Sequence, residues 1–453
     1  MEVVLNFNDT SGYNLDVITT VKEGDFIYFE LNGIENNIGQ DNTHWNPVIT
    51  YVDSNIESTL NGFVASKDKH YFKEDYENII TESSSKELNL TSWKGEKLNS
   101  QLVLWTEFKE MKGVKLEVSD FIKENGYTID SSDSNINFIE YVRADNKLIP
   151  DILDINEEEL IERRSIQPLW FSLDVPEEAE SGLYIGTIKA KAESGEEVIF
   201  DVNLEVLDMS LPKPEDWTFH LDMWQNPYSV ARYFDVPLWS EEHINYLKPH
   251  LTRLKDAGQK VITTTIVKDP WNGQTYDPYG SMVKWTKRSN GAFEFNFDDF
   301  DKYVELCMEI GIDDQINCYS MVPWDNRVYY YDETQGKEVY EKLNPGSDTW
   351  NAYWGQFIEA FVSHLKSKGW ENMTYIAMDE RPANVMNPVF ELLKDTPLKI
   401  SGAMNYGSVN QISDKVSDMS VAVREVHNEE EFANFARRKK RKRTKYNLIF
   451  SYW

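Results

Sequence analysis

Thr374-Tyr375-Ile376-Ala377-Met378-Asp379-Glu380-Arg381-Pro382 is the stretch on which the fold turns. Its apolar run, closed by the turn signal Arg381-Pro382, reads as a buried strand with two adjacent carboxylates at its C-terminal edge. The pair has two readings. Acids are common near helix N-termini, where they complement the macrodipole, so Asp379 and Glu380 fit a turn that merely precedes a helix. Two acids at a strand end also fit acid chemistry on a sugar. Where the strand lies in the larger pattern separates the two.

Outward from this stretch, strands alternate with helices. Thr218 to Met223 alternates polar and apolar residues and reads as a first strand. Ser240 can N-cap a helix whose Ile244, Leu247, Leu251 and Leu254 fall at helical spacing before Gly258 ends it. Val261 to Val267 is the second strand, and Phe300, Val304, Cys307 and Met308 give the next helix a core face before Gly311. Ile316 to Met321 is the third strand, and a helix capped at Asp348 or Thr349 runs to Gly369, which makes Thr374 to Met378 the fourth. Asn387-Pro388 supplies a cap and a first-turn proline for a further helix, Leu398 to Met404 a fifth strand, and Met419 to Val423 a sixth.

Repeated βα units predict a (β/α)8-type (TIM) barrel, with a doubly wound sheet as the alternative. Chemistry in such barrels gathers at the C-terminal strand ends, which favours a catalytic role for Asp379 and Glu380. Other strand ends carry groups suited to a polar ring: Asp222, Trp224 and Gln225 after the first, Lys268, Asp269 and Trp271 after the second, Tyr319 and Trp324 around the third, Asn405 and Tyr406 after the fifth. From these, Asp222, Trp224, Trp271, Tyr319, Trp324 and Asn405 are the candidate substrate contacts.

The first 210 residues are patterned differently. Short alternating segments such as Gln101-Leu102-Val103-Leu104-Trp105 and Asp201-Val202-Asn203-Leu204-Glu205-Val206, separated by turn residues, predict an all-β sandwich. Gly182 to Ile188 reads as a strand entered through a glycine turn, and Pro176 marks a strand end. The expected organisation is a multidomain chain: a β region over 1–85, set off by the polar stretch Thr81 to Lys86; a β-sandwich over 86–213; and a barrel domain over 214–453. Leu211-Pro212-Lys213-Pro214-Glu215 is a stiff joint between the last two. A length of 453 residues calls for two or three cores.

Composition excludes some functions. A formal net charge of -31 repels nucleic acid and anionic membranes, so neither is an expected partner. The 14 Trp and 24 Tyr suit stacking on sugar rings as well as packing. Cys307 and Cys318 sit in apolar stretches without a CxxC partner, and the histidines form no HExxH, so neither a disulfide, a metal nor another cofactor is expected. Met1 to Asn6 shows no basic segment leading into an apolar one, and no apolar run approaches the ~20 residues of a membrane span. A soluble, cytoplasmic protein is the expectation, or a secreted one if a signal has been removed.

Two regions carry a family resemblance. Arg163 through Pro212, with Gln167-Pro168-Leu169-Trp170, Val175-Pro176, Gly182-Leu183-Tyr184-Ile185-Gly186 and Leu211-Pro212, resembles the β-sandwich that precedes the barrel in glycoside hydrolase family 123. His220-Leu221-Asp222-Met223-Trp224-Gln225 and Met378-Asp379-Glu380-Arg381-Pro382 resemble that family's barrel motifs, and the similarity runs from about residue 85 to residue 430. The resemblance implies an exo-acting, retaining β-N-acetylgalactosaminidase that takes terminal β-GalNAc from glycans or glycolipids by substrate-assisted catalysis. By the same resemblance Glu380 would be the acid and base, and Asp379 would stay ionised to hold the acetamide, with Glu380 raised in pKa. A non-catalytic carbohydrate-binding protein, an inactive truncated hydrolase, and a β-N-acetylglucosaminidase or endo-acting enzyme on the same scaffold remain the alternatives.

Arg437-Arg438-Lys439-Lys440-Arg441-Lys442-Arg443 stands apart in so acidic a chain. A targeting or nucleic-acid tail is one reading. A frameshift in an adenine-rich stretch is the other, and it leads one to expect a barrel lacking about two strands, with 447–450 not a native strand.

Overall fold

The structure, a computed structural model, describes residues 59–80, 85–144, 146–404, 412 and 414–422, the backbone of 445–449, and a few short pieces before residue 59. Most of 1–85, the candidate contact Asn405, and the basic run 437–443 lie outside the described residues. The chain divides into two compact units, Met1–Leu211 and Pro212–Trp453.

The first unit holds two largely antiparallel sheets. One has the order Asn61–Ala65, Lys97–Thr106, Ser165–Asp174, Ser134–Ala144, Lys147–Leu153. The main path of the other is Glu87–Lys94, Glu197–Ser210, Gly182–Lys191, Met111–Val118, Glu158–Ile161, and its first pair is parallel. Alternation puts Leu169, Phe171 and Leu173 of one sheet in a core with Tyr184, Ile188, Phe200, Val202 and Leu204 of the other. Gly186 is required there, because a Cβ would lie 2.5 Å from the Phe121 ring.

The second unit is organised by a parallel sheet. Its strands β1 (Val261–Thr265), β2 (Gln315–Tyr319), β3 (Thr374–Asp379), β4 (Lys399–Met404), β5 (Asp418–Ala422) and β6 (Lys445–Ile449) lie side by side in that order. Every neighbouring pair is parallel. The helices are α1 (Pro227–Phe234), α2 (Glu241–Asp256), α3 (Asp298–Ile310), α4 (Asp348–Lys368) and α5 (Ala383–Leu393). Ser240 caps α2 by accepting from the His243 N–H, and Gly311 and Gly369 end α3 and α4 in the left-handed conformation. The described residues form an open sheet and no closed barrel. The strand Lys445–Ile449 pairs with β5, so the segment set aside in the frameshift reading does take part in the sheet.

Three local expectations are corrected. Thr218 to Met223 forms no strand and keeps a single parallel bridge, Leu221 to Gln259. Two glutamine side chains replace the missing ladder. Gln259 accepts from the Met223 N–H (3.0 Å) and donates to the carbonyls of Met223 (3.1 Å) and Val261 (2.6 Å). Gln225 accepts from the Thr263 N–H (2.8 Å) and donates to Val261 O (3.3 Å). With its polar backbone satisfied in this way, the segment lies along β1 without strand geometry. Secondly, α4 is capped by Ser347, which accepts from the Trp350 N–H at 3.2 Å. Thirdly, Pro388 lies inside α5 rather than at its start, at the cost of one helical hydrogen bond. Burial of Met386, Val389, Phe390 and Leu393 outweighs that loss.

One element has no counterpart in the sequence reading. The loops after β1 and β2 build a four-stranded sheet, ordered Phe293–Asn296, Lys284–Lys287, Arg327–Asp332, Lys337–Lys342. Aromatic packing anchors it to α4, with Trp285 stacked on Phe357 at 4.8 Å and Phe293 against Tyr353 at 4.6 Å.

The glutamine stitching has a measurable consequence. Gln259→Ala leaves the part-buried Met223 N–H without its acceptor and removes one of the two donors to the carbonyls of Met223 and Val261, and should lower stability by about 1 kcal/mol. The check is a urea titration: a lower midpoint at unchanged slope is expected, and a midpoint equal to wild type contradicts this account.

Candidate active site

The parallel register sorts side chains by height and face. Asn317 lies opposite Thr263 and Tyr375, Tyr319 opposite Thr265 and Ala377, Asp379 opposite Ala403, and Asp418 opposite Ser401. Period two therefore gathers Thr263, Gln315, Asn317, Tyr319, Asp379, Ser401 and Asp418 on one face. Ile262, Ile316, Cys318, Ile376, Met378, Ile400 and Met419 occupy the other, within the apolar core. A parallel sheet normally carries apolar residues on both faces, so the polar face stands out.

Asp379 ends β3, half-buried, and accepts a hydrogen bond from the Trp324 indole N–H at 3.3 Å. Burial, and then the neighbouring charge of Glu380, raise its pKa to about 6. The indoles of Trp324 and Trp271 and the Arg381 cation oppose the rise; the Trp271 N–H favours the anion without completing a hydrogen bond. The sequence reading places the upward shift on Glu380 and keeps Asp379 ionised. In the structure Asp379 carries an upward shift, driven first by its burial and then by the charge of Glu380.

Glu380 is exposed and left-handed, with φ at 47°, and its N–H donates to Ala403 O at 2.7 Å. A non-glycine residue held in this region costs on the order of 1–3 kcal/mol, and such residues concentrate at active sites. The turn also releases Glu380 from strand alternation, which would otherwise send it to the face opposite Asp379. Arg381 then reaches back to Trp324 O and Asn326 Oδ1, each at 3.4 Å, tying the turn to the loop after β2.

Three aromatic rings stand together beside the pair. Trp224, Trp271 and Tyr319 make a triangle with centroid separations of 5.3, 4.9 and 5.1 Å. Tyr319 is buried, and its phenol is pushed far up, first by burial and then by the charges of Asp222, Asp379 and Asp418.

Below Asp379 on the same face lies a polar floor. Asp418 accepts from Gln315 at 2.7 Å and contacts His220 Nε2 at 3.2 Å. Gln315 also donates to Asn317 (2.9 Å), which donates to Asp222 Oδ2 (3.2 Å). Asp222 Oδ1 is buried and has no hydrogen-bond partner among the described residues. Burial first, and the Asp418 charge second, raise Asp222 to about 7, against the pull of His220 and Asn317. Among the described residues no three His, Cys, Asp or Glu side chains are arranged to hold a metal ion.

The comparisons with known proteins fit this arrangement. The model for the glycoside hydrolase 123 catalytic domain matches residues 224–453, and that for the glycoside hydrolase 123 N-terminal domain matches 64–192. The chain belongs to glycoside hydrolase family 123. A solved family 123 glycoside hydrolase from Clostridium perfringens, described in connection with glycolipid glycan hydrolysis, is 35% identical with a TM-score of 0.81. The match covers 86% of this chain and 72% of that one. A PapD-like domain of human CEP192 is 12% identical over 36% of this chain and 99% of its own, at a TM-score of 0.19 that carries no argument. A search of curated proteins finds no match.

Within this family member, the structure brings Asp222, Trp224, Trp271, Tyr319 and Trp324 to the neighbourhood of Asp379 and Glu380; Asn405 lies outside the described residues. Gln225 is committed to the backbone of β1, Lys268 pairs with Glu338 at 2.6 Å, and Asp269 holds its own loop through the Gly273 N–H. Sequence reasoning missed Gln315, Asn317, Asp418 and the role of His220. The available signal was an amide or carboxylate at alternate positions of strands otherwise apolar.

The raised Asp222 makes stability depend on pH. Folded Asp222 holds its proton to about pH 7, whereas the unfolded chain releases it near pH 4, so wild type loses stability as pH rises between the two. Asp222→Asn should therefore gain on wild type across that window, by on the order of a few kcal/mol above pH 7. Denaturation at a series of pH values checks this, and a pH-independent difference contradicts it.

Proposed function

We propose that this chain is a retaining, exo-acting β-N-acetylgalactosaminidase in which the substrate's own 2-acetamido oxygen is the nucleophile, releasing terminal β-GalNAc from glycans or glycolipids. The observation that carries the reading is the placement of Asp379 and Glu380 as consecutive residues at one strand end. A retaining glycosidase with a protein nucleophile needs carboxyls ~5 Å apart on either side of the scissile bond. Neighbours on one strand end suit a different division of labour, in which neither acid attacks carbon.

Glu380, exposed at the mouth, protonates the leaving glycosidic oxygen as the acetamide oxygen closes on the anomeric carbon. It then takes a proton from the water that opens the oxazolinium intermediate. Asp379 accepts from the acetamide N–H and balances the positive charge that develops on the ring. Its pKa of about 6 fits this task. A carboxylate held at the edge of ionisation by burial gains most from a cation formed beside it, since charges interact more strongly where water is excluded. Trp224, Trp271, Tyr319 and Trp324 wall the acetamide and the ring, Asp222 Oδ1 offers an unused acceptor to a sugar hydroxyl, and Asn405 is a further contact.

Glu380→Gln should abolish cleavage of poorly activated glycosides while sparing the first step for good leaving groups; near-wild-type turnover of natural glycans would remove Glu380 from the acid role. The acid limb of kcat/KM on 4-nitrophenyl β-GalNAc should fall near pH 6, as Asp379 protonates, and Asp379→Asn should cut turnover broadly and erase that limb. A limb unchanged in Asp379→Asn refutes the assignment. A thiazoline mimic of the intermediate should inhibit. Ligand-dependent tryptophan fluorescence without sugar release would favour a binding protein, and preference for β-GlcNAc would reassign the sugar.

A further inference from the structure

The hairpin Arg327–Asp332 and Lys337–Lys342 grows from the loop that touches the acid pair. Trp324 donates to Asp379, and Trp324 and Asn326 accept from Arg381. Val328 and Tyr330 point into the core at 1% and 4% exposure, so Arg327, Tyr329 and Tyr331 share the opposite face. Their cross-strand partners are Lys342, Tyr340 and Glu338. Tyr331 and Tyr340 are 47% and 50% exposed, and Tyr329 and Tyr340 meet at 5.3 Å.

The tyrosines are pinned. Arg327 lies 4.9 Å from the Tyr340 ring and is paired with Asp325 at 2.6 Å. Lys268, from the loop after β1, lies 5.1 Å from the Tyr329 ring and is paired with Glu338. Beneath the hairpin, the Tyr330 hydroxyl bonds Glu341, which also accepts from Tyr353 of α4 at 2.9 Å. Single exposed aromatics need no explanation. Three tyrosines on one face, two of them, Tyr329 and Tyr340, held by cations whose charges are paired, form an apolar surface edged with hydrogen-bonding groups.

We propose that this hairpin face is the platform for the leaving part of the substrate, binding uncharged pyranose rings on the reducing-end side of the bond cleaved at Asp379 and Glu380. Aromatic rings offer flat surfaces to the C–H faces of a sugar, and the paired Arg327, Lys268, Asp325 and Glu338 offer donors and acceptors to its hydroxyls without a net field that would select an anion. From Arg327 to Tyr331 the strand spans about 13 Å, enough for more than one ring. The surface is continuous with the acid pair through Trp324 and Asn326. The inference rests on the proposed function for the identity of the bond cleaved.

The test compares a neutral trisaccharide carrying β-linked GalNAc at its non-reducing end with 4-nitrophenyl β-GalNAc, on the full chain. Tyr340→Ala should lower kcat/KM on the trisaccharide about tenfold, the size of a lost stacking contact, and change the aryl glycoside by less than about twofold. Tyr340→Phe should retain wild-type behaviour on both. Equal losses on the two substrates, or none on the trisaccharide, overturn the platform. If wild type cleaves neither substrate, the proposed function fails by itself. Calorimetry then decides the platform: trisaccharide binding weakened about tenfold by Tyr340→Ala supports it, and no binding to wild type overturns it.

Discussion

The hydrogen bond from the Trp324 indole to Asp379 joins everything this site needs. It fixes a carboxylate at the end of β3, brings the loop after β2 across that strand end, and, with Arg381 returning to the same loop, holds the turn in which Glu380 leaves the strand. It also sets the electrostatics. A carboxylate removed from water must find donors or keep a proton, and the two indoles around Asp379 supply enough stabilisation to leave it near balance rather than fully charged or fully neutral. Such a group responds strongly to a positive charge arriving beside it.

Support comes from below. Asp418, Gln315, Asn317 and Asp222, with His220 at one end, run across the polar face as a connected network. Buried networks of this kind rigidify what they underlie, because each member is costly to leave unpaired. Among the described residues Asp222 Oδ1, near the aromatic triangle, is a buried acceptor of this network that no donor reaches, and Gln315 Oε1 is another. The other face of the same strands is apolar and meets the core, so a single two-residue periodicity separates stability from chemistry.

Much of this was legible in the residues. Helices with core residues three and four apart, a serine before the first turn and glycine after the last were read correctly for α2 and, at their C-terminal ends, for α3 and α4, since those signals are local. The apolar run before Asp379-Glu380 was likewise readable as a strand. What was hidden depends on partners distant in sequence. Nothing local says that Gln225 and Gln259 will take the place of a strand ladder, or that Lys284–Lys287 and Arg327–Asp332 will pair across forty residues of chain. Asn317 and Asp418 gain meaning only once parallel register places them on one face. The resemblance places the raised pKa on Glu380 as the acid; that Asp379 is itself raised by burial depends on loops distant in sequence.

The central claim is that the acid pair works with the substrate's acetamide and not against its anomeric carbon. Its most direct test is kcat/KM for 4-nitrophenyl β-galactosaminides bearing N-acetyl, N-fluoroacetyl, N-difluoroacetyl and N-trifluoroacetyl groups. Each fluorine withdraws electrons from the carbonyl oxygen, so an attacking acetamide predicts a steep, successive fall along the series. A flat series would contradict the account and place the nucleophile on the protein.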